Sequence, residues 1–136
     1  MINLIQVNYV AVLIAAVAAM VVGSLWYGPL FGKVWMKLVG VSKDDIKKSE
    51  MPKLYGVMFI GALVEAYILS HFIHYAGAVG PLLGAKTGLW AWLGFVATTM
   101  IGNYMFAKRP MKLYYIDAGY ALVNLVVMGA IIASMW

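Results

Sequence analysis

Four apolar runs, each long enough to cross a bilayer, divide this sequence, and almost every charged residue falls between them. A membrane-spanning helix needs roughly 20 apolar residues at 1.5 Å of rise each. Runs at about 7–27, 54–77, 84–107 and 113–136 meet that requirement and leave only short connections. A backbone in lipid must satisfy its own hydrogen bonds, so such runs read as helices. The expectation is an all-α, four-transmembrane-helix bundle, a single domain over residues 1–136 with a cytoplasmic loop at 28–53. Composition agrees, since 65% of the residues are apolar and 11% charged, against about a quarter charged in soluble domains. Ala16-Val17-Ala18 imitates a signal-cleavage motif, but no Lys or Arg precedes the first run, so it reads as a retained span.

Orientation follows from the basic residues. Lys33, Lys37, Lys43, Lys47, Lys48 and Lys53 follow the first run and Lys108, Arg109 and Lys112 the third, while the opposite side carries Lys86. Positive loops stay in the cytoplasm, which puts both termini on the outer side of the membrane. The net charge of +5 therefore reports topology and gives no case for nucleic acid. Aromatic residues fit the same frame as interface anchors: Trp26, Tyr27, Phe31 and Trp35 inside, Tyr9, Tyr75, Trp90, Trp92 and Trp136 outside. Within the long loop, Leu30, Phe31, Val34, Trp35 and Leu38 interleave with Lys33 and Lys37, a spacing that predicts a short amphipathic cytoplasmic surface helix. Ser42-Lys43-Asp44-Asp45 has the form of a helix start.

A repeat is written faintly across the chain. Without gaps, Lys53-Leu54-Tyr55 aligns with Lys112-Leu113-Tyr114, Ala62-Leu63-Val64 with Ala121-Leu122-Val123, and Glu65 with Asn124. This predicts two parallel helical-hairpin repeats related by an axis along the membrane normal. Ala11, Ala15, Ala19 and Gly23 recur every fourth residue on one face of the first run, and Gly129 and Ala133 do so on the last. Small residues let helices approach closely in lipid, within one chain or between two.

Few groups can carry chemistry. Glu65 lies roughly 16 Å from the cytoplasmic end of its helix, near the midplane, where a carboxylate costs a few kcal/mol and needs a partner or a wet cavity. Asn124 is the partner expected for it. Asp117 shares a face with Asn124 at i, i+7, and Asn103 falls at a similar depth on the third helix. These four are the transport or polar-core candidates. Asp117 could instead form an ion pair with Arg109 or Lys112. His71 and His74, at i, i+3 with no carboxylate nearby, make an incomplete metal site. With no cysteine and no nucleophile-base set or phosphate loop, the expectation is no enzyme, no catalytic residue, no metal and no cofactor.

Trp26-Tyr27-Gly28-Pro29-Leu30-Phe31-Gly32-Lys33-Val34-Trp35-Met36 resembles the signature of a family of small bacterial membrane proteins catalogued as a domain of unknown function. Trp92-Leu93-Gly94-Phe95, Asn103-Tyr104, Arg109-Pro110 and Ile116-Asp117-Ala118-Gly119-Tyr120 extend the resemblance over nearly the whole chain. It implies a four-helix membrane protein and carries over no activity. The functional expectation is a small oligomer, a homodimer or larger membrane complex, acting as a channel or transporter for protons, cations or a small solute. The alternative is a non-catalytic accessory or scaffold subunit; a haem or pigment binder through His71 or His74 is the third reading.

Overall fold

The computed structural model describes residues 6–45 and 47–136, the Lys43 side chain excepted, and among these the chain is all-α, without strands. The helices are α1 (Tyr9–Leu25), α2 (Gly32–Val39), α3 (Met51–Tyr75), α4 (Pro81–Ala91), α5 (Thr98–Phe106) and α6 (Met111–Ser134). Among the described residues, three segments are long and apolar enough to cross a membrane: Tyr9–Leu30, Lys48–Tyr75 and Met111–Ser134. The third expected span is divided, because its backbone widens into a π-helical stretch at Trp92–Ala97 between α4 and α5. The residues at both junctions stay in right-handed helical conformation, so α4 and α5 form one continuous rod.

A second π-helical segment, Trp26–Leu30, ends α1 around Pro29. Proline cannot donate the ordinary helical hydrogen bond, and here the Phe31 amide reaches back five residues to the Trp26 carbonyl, at 2.8 Å. Gly32 then lets α2 fold back on this turn, since a Cβ there would strike the Tyr27 carbonyl oxygen. α2 is the expected amphipathic helix. Trp35 and Leu38 pack against the buried cluster of Tyr104, Leu113, Tyr114 and Ala118, and Lys33 and Lys37 are exposed. At the Ser42 turn, Asp45 accepts from the Ser42 amide at 2.8 Å.

α6 is the central element and touches every other α-helix. Its contact with α4 is backbone on backbone: a Cβ on Gly84 would collide with Gly129 and Ala133, and one on Gly88 with the Leu125 carbonyl. On the other side, Ala11, Ala15 and Ala19 of α1 are fully or almost fully buried, in a core with Ala62, Ala66, Leu69 and Ile73 of α3 and Met128 and Ile132 of α6. The Ala11, Ala15, Ala19 and Gly23 stripe is thus spent on packing within the chain, and Gly23 lies against the Tyr120 ring. Around this core the outer surface is apolar, with Val10, Leu13 and Val21 of α1, Val57, Ile60 and Val64 of α3, and Phe95 all exposed.

The Asn8 side chain donates to the Met135 carbonyl at 2.9 Å, and the Gly80 amide donates to that of Ala133 at 3.1 Å. The start of α1, the end of α6 and the turn before α4 therefore share one end of the bundle. Gly77 makes the tight exit from α3 at φ +64°, the left-handed conformation that glycine adopts without steric cost. The lysine-rich segment and the 107–110 turn occupy the opposite end.

Candidate functional site

On α6, Asp117, Tyr120 and Asn124 follow at i, i+3 and i+7 and so line one face. That face meets the π turn, α2 and α5 at Asp117, α1 at Tyr120 and α3 at Asn124, and its polar groups form two centres with a tyrosine between them.

The lower centre is Asp117. Tyr27 donates to its Oδ1 at 2.7 Å, the Trp35 indole donates to the same oxygen at 3.1 Å, and the Tyr104 hydroxyl donates to Oδ2. Three elements, the π turn, α2 and α5, thus converge on one carboxylate. Hydrogen bonds to a charged acceptor are about twice as strong as neutral ones. Two more indoles grip the α6 backbone beside it, Trp26 on the Ile116 carbonyl at 2.9 Å and Trp92 on that of Ala118 at 2.8 Å. Gly119 allows the first of these, since a Cβ there would come within 3.1 Å of the Trp26 ring. Arg109, expected as an ion-pair partner for Asp117, instead lies over the Tyr104 ring at 5.5 Å from its centroid.

The upper centre joins α3 to α6. Asn124 is 3% exposed, and its Nδ2 donates to Glu65 Oε1 at 3.3 Å. Glu65 is half-buried. The other end of the amide, Asn124 Oδ1, is buried without a hydrogen-bond partner among the described residues. Tyr120 stands between the centres: its ring packs edge-on against Tyr27 at 5.3 Å, and its hydroxyl lies against Gly23.

Of the four residues singled out from sequence, the structure brings Glu65 to Asn124 and puts Asp117 on the same helix face. Asn103 is exposed, and its neighbour Tyr104, 6% exposed, reaches Asp117 in its place. One residue is about 100° of helix, so a polar amide drew attention away from the aromatic donor beside it. Trp26, Tyr27, Trp35 and Trp92, expected as interface anchors, turn inward as hydrogen-bond donors. His71 is buried, with Nδ1 2.9 Å from the Tyr67 carbonyl, while the exposed His74 packs on Trp136.

The residues of the lower centre are those of the quoted motifs: Trp26, Tyr27 and Trp35 from one, Trp92 and Tyr104 from others, and Ile116 to Tyr120 from the last, whereas Glu65 and Asn124 of the upper centre lie outside them. Comparison with curated proteins and with solved structures returns no match. A family model described as a protein of unknown function, DUF1761, matches residues 10–133, nearly the full length, and the chain belongs to that family.

Proposed function

We propose that this chain is an integral membrane protein of four spans that passes a proton or a small cation along the polar face of α6. The α4–α5 rod is the fourth span, the lysine-rich end lies in the cytoplasm of a bacterial cell, and both termini lie outside. The lysine distribution supports that orientation. The pairing of Glu65 with Asn124, positions equivalent in the sequence repeat, is in keeping with two parallel hairpins.

The observation that carries the reading is the unpartnered Asn124 Oδ1 beside a half-buried carboxylate. An unmet acceptor in an apolar interior costs about 1–3 kcal/mol, and ionisable groups within a membrane mark ion and proton pathways. An amide oxygen, a carboxylate and a nearby phenol suit a species that brings positive charge or a donated proton. From there Tyr120, packed edge-on against Tyr27, leads toward Asp117, which accepts from the Tyr27 hydroxyl at the basic end. A four-helix protomer leaves little space for a continuous pore, so the working unit in this reading is a homodimer or larger assembly.

The test is proton and cation flux into liposomes containing purified protein, with wild type compared with Glu65→Gln and the oligomeric state recorded in the same preparation. Flux abolished at unchanged assembly is the expected result. Absence of flux from well-folded wild type would overturn it in favour of an accessory subunit, a role suited to the closed aromatic joint around Asp117.

A further inference from the structure

α1 and α3 are held together by small residues over only part of their length. Ala62 and Ala66 are buried against α1, but one and two turns earlier Leu54, Tyr55, Val57 and Met58 are exposed. The helices splay toward the basic end, and the wedge between them is a cavity of about 460 Å³, open on one side. Its walls include Met20, Ser24, Tyr27, Trp35, Leu54 and Met58. A second hollow of about 330 Å³ shares Met20, Ser24 and Tyr55 and extends along α1 to Val17.

The volume lies in the range of about 300–1,000 Å³ typical of small-molecule sites. From Val17 to Gly28 the groove is about 16 Å long at 1.5 Å per residue, close to half of a hydrocarbon core of roughly 30 Å. It therefore matches the depth of one leaflet. The lining is apolar and rich in methionine, whose flexible side chains adapt to irregular occupants. No lining residue is charged, and in the connection at the basic end Lys33, Lys37, Lys43, Lys47, Lys48 and Lys53 outnumber Asp44, Asp45 and Glu50. That balance opposes a cationic amphiphile and favours one with an anionic head.

We propose that the groove is a binding site for one acyl chain of an anionic phospholipid from the leaflet on the basic side, with the phosphate against Lys33, Lys37 and Lys53. α2 carries two of these: Trp35 lines the groove and donates to Asp117, while Lys33 and Lys37, on the opposite face of the helix, are exposed and reach a headgroup by the length of their side chains. The site rests on the membrane placement and is independent of transport.

Detergent-purified protein is titrated with phosphatidylglycerol and with phosphatidylcholine of the same chains, and retained lipid is counted by native mass spectrometry. The expected result is one phosphatidylglycerol per protomer, retained several-fold above phosphatidylcholine. Lys33→Gln and Lys53→Gln should each lower that retention about five-fold. Ser24→Trp and Met58→Trp, two separate ways of filling the wedge from exposed positions, should abolish it. Equal retention of the two lipids, retention undiminished in the folded Trp variants, or displacement by an equal concentration of palmitate would each overturn the assignment. Liposome flux is measured separately, so loss of the lipid site and loss of conduction are distinguishable.

Discussion

Trp35 and Asp117 are 82 residues apart in sequence and joined by a 3.1 Å hydrogen bond. Through it the short surface helix α2 is fastened to the central helix α6, at the carboxylate that also takes the hydroxyls of Tyr27 and Tyr104. Asp117→Asn keeps the shape and one acceptor oxygen but removes the charge that strengthens all three bonds. The expected loss is about 1.5–3 kcal/mol, read as a lower thermal midpoint in detergent.

The two centres should differ in worth. The bond from Asn124 to Glu65 is long, 3.3 Å, and interhelical hydrogen bonds in membranes average about 0.6 kcal/mol, with a maximum near 1.7. A double-mutant cycle on Glu65→Gln and Asn124→Ala should give a coupling of about 1 kcal/mol or less. A coupling above about 2 kcal/mol would mean that the pair serves mainly as a structural clasp.

Glycines in this chain divide sharply by position. Gly84→Ala and Gly129→Ala each drive a methyl into the facing backbone, and overpacking of this kind costs about 1–3 kcal/mol or more. Gly56, inside α3, has open space where its Cβ would be. Gly56→Ala should be neutral or stabilising by up to about 1 kcal/mol. Unfolding of the three variants in one detergent checks the contrast.

The orientation is checked by two exposed positions at opposite ends. Ser49→Cys, in the lysine-rich segment, should react with an impermeant maleimide only after cells are opened. Val79→Cys, in the turn before α4 and 69% exposed, should react in intact cells. The reverse pattern would invert the protein.

The sequence read well where its signal is additive. Apolar length located the long helices to within a few residues. The pairing of Glu65 with Asn124 was legible because two polar residues at similar depths among apolar neighbours have few other partners. What stayed hidden depends on direction. Tryptophan has the same amphipathic composition whether its indole meets a headgroup or a helix carbonyl, so the inward turn of Trp26, Trp35 and Trp92 left no mark in the pattern. The pair Gly84 and Gly88, spaced like the α1 stripe, did carry a signal of close approach, yet only the structure shows that it meets Gly129. The break of the third span at Trp92–Ala97 contains no proline and had no cue in the sequence.

The indoles of Trp26 and Trp92 hold neighbouring turns of α6 from different elements, and this has a mechanical consequence. A helix keyed at two carbonyls cannot roll about its axis without losing both, while the glycine contact with α4 prevents it from sliding away. α6 and the rod beside it are therefore the stator. α3 meets this stator through the bond between Glu65 and Asn124 and the packing of Ala62, Ala66 and Leu69, with no indole or glycine clamp of its own among the described residues.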